Sequence, residues 1–325
     1  MDQQASDRPQ DSRLLGNQAA RTALILLLGL TILRILIPQI PVPLAALPVA
    51  SIVTSMVFVL VPVTILFFGS SLPWTGIKAA IAIAVGAALQ FGLMPFLKPG
   101  MVGMVLGAVA QGGLLVWCLG LGVGIALLVR ERNMLVPIAI FLALFDIWLV
   151  FVPEGPVGQV ARANGSALTS VAFQVPRPVN APTTGRAVPL AYVGPADFLF
   201  ISMFFAALHR FKLQVVRTAK LMVPVLVCYL LITLLFGQIA LGPIQLGALP
   251  ALLPIGAVIL IANYREFKLT AEERQTTIAL TVICTGILIW RFIANREVEQ
   301  PEPSPTEAGQ EAPAPTKKHA PRHLD

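Results

Sequence analysis

Of sixteen acidic residues, only Asp146 and Asp197 lie in or at the edge of a long apolar run. A carboxylate in hydrocarbon surroundings is costly, so each is a candidate functional group by its placement alone. Two carboxylates that approach closely cannot both ionise; they titrate as a pair and share one proton. One then activates a water as general base, and the other donates a hydrogen bond to the carbonyl under attack. The chemistry that needs this division of labour is amide hydrolysis. Asp197 has a plainer reading as well. It follows Gly194 and Pro195, an N-cap and a first helical residue, and so also reads as a helix-initiating acid at the positive end of a helix dipole.

The elements that must carry these residues are membrane helices. Of the 325 residues, 56% are apolar and 12% are charged, against roughly 25% charged in soluble domains. Apolar runs of about 20 residues match bilayer-spanning helices, whereas barrel strands alternate over about 10 residues. The reading is an all-α polytopic membrane protein of about nine spans. Residues 1–21 are expected to be disordered. Residues 22–132 hold about four spans, near 22–40, 49–69, 75–97 and 101–129. The glycine-rich fourth run reads as one tilted helix, with two short pieces as the alternative. Residues 133–264 form the core, with spans at 134–152, from 194, at 221–241 and at 246–263, and a long loop at 153–192. Within that loop 171–175 and 187–192 are candidate strands. A charged linker and an extra span fill 265–295, and 296–325 is a disordered tail rich in Pro and Glu. Arg34, near the end of the first run, is expected to snorkel outward.

Lysine and arginine placement sets the orientation. The cluster His209-Arg210-Phe211-Lys212 with Arg217 and Lys220 should face the cytoplasm. Alternation then puts the N-terminus, 130–132 and 265–274 inside, and the 153–192 loop and C-terminal tail outside. The net charge of +7 therefore reads as topology, and no nucleic acid partner is expected. Cys118, Cys228 and Cys284 all lie inside apolar runs, which argues against disulfides or a zinc site; no metal and no cofactor is expected. The sequon at Asn164 matters only in a glycosylating pathway.

Asp146 lies 14 residues from Arg132, Asp197 lies 13 from Arg210, and Pro250 lies 15 from Arg265. At 1.5 Å per residue all three sit roughly 20 Å from the cytoplasmic charge boundary. Pro250 and Pro254 are expected to break helical hydrogen bonding at that depth. Freed backbone in a membrane is tolerated only where it is buried or lines a wet cavity. It could pair there with an extended substrate segment, as could a strand near 187–192.

Three motifs in order carry a resemblance. Phe145-Asp146 resembles the Tyr-Asp motif of the GxGD intramembrane aspartyl proteases, the presenilin and signal peptide peptidase superfamily. Gly194-Pro195-Ala196-Asp197 is similar to their Gly-x-Gly-Asp motif, and Pro250-Ala251-Leu252, preceded by Leu249, matches their Pro-Ala-Leu motif. The neighbourhoods and the deduced helix directions look closer to the signal peptide peptidase branch. The resemblance covers about residues 134–260. It implies a microbial homologue in a bacterial or archaeal cell (inner) membrane, with Asp146 and Asp197 catalytic. Phe145, Gly194, Pro195, Ala196, Leu249, Pro250, Ala251 and Leu252 would shape the site. Its partners would be the lipid bilayer and transmembrane or signal-peptide substrates. Three departures stand out: Ala196 for the second glycine, Phe145 for the tyrosine, and a span after the Pro-Ala-Leu helix. The competing readings are a proton-coupled transporter or channel using the paired aspartates, and a protease-like scaffold impaired by Ala196.

Overall fold

In hydrocarbon every backbone N–H and C=O must find its partner within the protein, and a long apolar segment does so by coiling into a helix. The computed structural model of the chain describes residues 8–98, 100–151, 170–181, 189–236, 240–241, 244–245 and 250–298. Their helices are α1 (Arg8–Leu36), α2 (Leu47–Ser70), α3 (Gly76–Leu93), α4 (Met101–Leu128), α5 (Leu135–Phe151), α6 (Pro195–Arg210), α7 (Val215–Phe236), α8 (Leu252–Asn263) and α9 (Ala271–Val298). Among the described residues six helices are long and apolar enough to cross a membrane, namely α1 to α5 and α7. This is the build of an all-α integral membrane protein.

Several expectations change. The first helix starts at Arg8, well before the apolar run at Thr22. No proline interrupts the chain between Pro9 and Pro38, and extending an existing helix is far easier than nucleating one. The glycine-rich fourth run, by contrast, is the single helix expected of it. A Cβ on Gly113 would fall 2.7 Å from the Gly86 carbonyl oxygen, so these glycines let α3 and α4 pack backbone to backbone. The helix expected from residue 246 begins at Leu252. Pro254 is only its third residue, where the N–H has no intrahelical partner to lose, so this proline does not break the helix.

Both candidate stretches contribute a strand, the second only at its end: of 187–192, Ala191 and Tyr192 are in a strand, Pro189 and Leu190 are not, and 187–188 lie outside the described residues. β1 (Phe173–Val175) and β2 (Ala191–Val193) pair antiparallel, with Phe173 opposite Val193. Residues 152–169, with Asn164, and 182–188 of this loop region lie outside the described residues, as do 299–325. A second, unforeseen hairpin, β3 (Ala240–Leu241) with β4 (Ile244–Gln245), follows α7. That helix ends at Phe236, short of the expected Leu241.

The bundle is organised around α6. Every residue from Ile201 to Leu208 is buried, which marks a helix enclosed on all sides. Phe198, Phe204 and Phe205 join Phe58 and Leu66 of α2, Leu114 and Leu115 of α4, and Phe173 of β1 in one apolar core. Arg34 does not snorkel. Its guanidinium turns inward and stacks 5.1 Å from the Phe58 ring centroid and 4.6 Å from that of Phe173, because two aromatic faces give the cation a partner inside the protein.

Candidate active site

Asp197 is held where strand becomes helix. β2 ends at Val193, Gly194 is the N-cap in extended conformation, and Pro195 opens α6. The Asp197 N–H donates to the Gly194 carbonyl at 3.2 Å, while its carboxylate accepts from the Gly194 N–H. An acid at the third helical position reaching back to the N-cap amide is half of a capping box. The helix-initiating reading of Asp197 therefore holds, and it leaves acceptor capacity on the same carboxylate.

Two contacts fix α6 itself. Gly122 of α4 faces it so closely that a Cβ would collide with Ser202 Oγ and the Leu199 carbonyl and lie 2.8 Å from the Met203 nitrogen. At the far end Arg210 Nη1 donates to the carbonyls of Ala126, Leu127 and Val129 at 2.8, 3.1 and 2.7 Å. Arg210 thus satisfies the orphan carbonyls at the end of α4, in addition to any part it has in orientation.

Asp146 is in α5 and 9% exposed. Its Oδ2 accepts a 2.7 Å hydrogen bond from the Leu252 N–H. Leu252 is the first residue of α8, so one of that helix's unpaired amides is satisfied by a carboxylate from another helix. Gly256 then brings α8 against α5, since a Cβ there would meet the Ala139 carbonyl at 3.1 Å. The far end of α8 is tied by the buried Asn263, whose Oδ1 accepts from the Gln214 N–H and whose Nδ2 donates to Thr218 Oγ1, both at 2.9 Å.

Asp146 and Asp197 lie within Coulombic range of each other, and Tyr229 of α7 lies within range of both. A cavity of about 220 Å³ is lined by Asp197, Tyr229, Ala251, Val193, Ser55 and Thr233, among others. The Ser55 hydroxyl is buried there without a hydrogen-bond partner. Beyond Tyr229 a second cavity of about 580 Å³ is lined by Ile147, Pro224, Ile232, Pro250, Leu253 and Pro254. Tyr229 lines both.

The other site candidates separate. Pro250 is buried at the larger cavity, Ala251 faces the smaller one, and Leu252 is bonded to Asp146. Gly194 touches Asp197 directly, and the Pro195 carbonyl accepts from Cys118 Sγ at 3.4 Å. Ala196 is exposed and lines neither cavity. Phe145 points away, 38% exposed, with ring centroids 5.9 Å from Phe141 and 5.5 Å from Trp148. Leu249 lies outside the described residues. No group of three or more metal-ligating side chains occurs among those described. Sequence reasoning missed Tyr229, although a tyrosine inside an apolar span, one of only three in the chain, was a signal of the same kind as the aspartates. Comparison of the chain with protein-family models, with curated proteins and with solved structures finds no match.

Proposed function

We propose that the chain is an intramembrane aspartic endopeptidase that hydrolyses peptide bonds within transmembrane segments. One observation carries the reading. Ala251 lines the cavity of Asp197 while the next residue, Leu252, donates its N–H to Asp146. Two acids on separate helices and a proline-bordered turn between 250 and 252 thus share one site, as hydrolysis of an extended segment requires. In this mechanism the pair holds one proton between them. The ionised carboxylate takes a proton from a water in the cavity as that water attacks the scissile carbonyl carbon. The protonated partner donates to the carbonyl oxygen, and the tetrahedral intermediate collapses as the nitrogen is protonated and leaves.

The short helices support a wet site at this depth. The 16 residues of α6 span about 24 Å and the 12 of α8 about 18 Å. Each begins its helical course at the layer of the dyad. A hydrogen-bonded turn and a strand pair stand where a full-length helix would have excluded water.

On this reading the chain crosses the membrane nine times, α6, α8 and α9 included. The basic ends of α6 and α8 then face the cytoplasm, and the membrane we propose is that of a bacterial or archaeal cell. The test is cleavage of a generic single-span substrate by purified protein, beside Asp146→Ala and Asp197→Ala. Product from the native chain and none from either variant is expected. Equal product from all three refutes the dyad, and an inactive native chain that instead moves protons across a vesicle membrane favours the transporter.

A further inference from the structure

A third cavity, of about 150 Å³, lies where the end of α1, the turn from α3 to α4 and the end of β1 meet. Among the described residues its lining carries three cations, Arg34, Lys98 and Arg177, and no acidic residue. Arg34 is the innermost. One face of its guanidinium is covered by Phe58 and Phe173, and its Nη2 is buried without a hydrogen-bond partner. A buried charged donor left unpaired is costly, and stacking on rings does not supply the missing acceptor. The neutral polar groups around it are engaged elsewhere. Gln90 donates to the Ser170 carbonyl and accepts from Trp117 Nε1, and Gln111 donates to the Ala172 carbonyl while accepting from the Gln174 N–H. The acceptor that suits a lining of cations is an anion.

We propose that this cavity binds the phosphate group of an anionic phospholipid. Its volume holds about five waters, or one such group. The guanidinium fork matches phosphate oxygens, and Lys98 and Arg177, both exposed at the rim, add point charges. A lipid suits the site better than a free ion because its flank is greasy: Phe96, Met101 and Val102, beside the lining residues, are 61%, 58% and 72% exposed. The cavity also lies at the ends of membrane-crossing helices, where headgroups sit. Bound there, the phosphate joins α1, the α3–α4 turn and β1. The partner of β1 is β2, which runs through Gly194 into Asp197, so the lipid buttresses the strand pair that carries one acid. The binding claim itself does not depend on the proteolytic reading.

The test compares unfolding midpoints of the full chain in phosphatidylcholine vesicles with and without phosphatidylglycerol. Lys98→Gln/Arg177→Gln removes two rim charges while leaving the Arg34 stack in place. Arg217→Gln/Lys220→Gln removes two exposed charges at the opposite end of the bundle. A rise in midpoint with phosphatidylglycerol is expected for the native chain and the second variant. The first variant should need more of this lipid for the same rise, by about fivefold for each charge removed. Equal behaviour of the two double variants overturns the proposal, because the effect is then diffuse surface charge or nothing. Inorganic phosphate against chloride at matched ionic strength in neutral detergent identifies the source. A rise seen there too, with the same dependence on Lys98 and Arg177, makes free phosphate a ligand and overturns the requirement for a lipid.

Discussion

Replacing Asp146 in two ways separates its structural task from the acid–base role proposed for it. Asp146→Asn keeps an oxygen where Oδ2 accepts from Leu252 at 2.7 Å but cannot take a proton from water. Asp146→Ala removes the acceptor as well and strands the first amide of α8. A hydrogen bond to a charged group contributes about 1.5–3 kcal/mol, and an unsatisfied buried donor costs about 1–3 kcal/mol. The alanine variant should therefore lose roughly 2–3 kcal/mol, or roughly 4–12 °C in midpoint at about 2–4 °C per kcal/mol. The asparagine variant should stay within about 1 kcal/mol of native. Both should lose at least about a thousandfold in turnover, the upper part of the range for general acid–base catalysis. Release of a soluble fragment from a single-span substrate reads the rate, and thermal unfolding in the same detergent reads the stability. Full activity in the asparagine variant would refute the acid–base role. An alanine variant as stable as native would show that the Leu252 bond does not hold the turn.

Tyr229→Phe keeps the ring between the two cavities and should lower turnover several-fold with an unchanged midpoint; a matched loss in both would mean the hydroxyl serves the fold alone. Gly122→Ala should destabilise by about 1–3 kcal/mol through overpacking against α6, measured as a drop in midpoint. At the start of α9 the Thr270 N–H donates to Glu273 at 2.7 Å and Asn133 Nδ2 donates at 3.1 Å, and these hold its carboxyl below the ordinary glutamate range. The depressed value means this tie is intact above that range and is lost as pH falls through the folded value. Acid pH should therefore loosen α9, seen as faster hydrogen exchange there, and Asn133→Ala should raise the pH at which this happens. A single cleavable segment presented in both membrane orientations should be cut preferentially with its N-terminus cytoplasmic. Equal cutting would refute the inferred direction of α6.

What could be read beforehand was local. The run of apolar residues, the Gly194-Pro195 start of α6 and the isolation of two acids among sixteen all speak through neighbours in the chain. So do the β-forming stretches that became β1 and β2. What could not be read depends on partners far apart. The amide that holds Asp146 comes from 106 residues away, and the carbonyls that Arg210 clamps lie more than 80 residues upstream of it. Arg34 was misread because snorkelling is an argument about a lone helix. Aromatic faces from α2 and β1 gave it an alternative that no single segment reveals. Pro254 was misread for a related reason, since a proline's cost depends on where the helix begins, and that start is set by contact with α5.

On the proposed nine-span topology, the brevity of α8 has a consequence for the surrounding lipid. A hydrocarbon layer is about 30 Å deep, yet α8, which leaves Leu253 and Ile261 exposed, reaches about 18 Å, so the flank it forms is shorter than the bilayer it meets. Acyl chains beside that flank must compress or bend toward the polar turn at 250–252, and the strain of doing so grows with every added methylene. Thickness of the host membrane then becomes a variable of the protein's behaviour. Short-chain lipids should relax this flank and long-chain lipids should load it, so that one polypeptide works at different rates in membranes that differ only in depth.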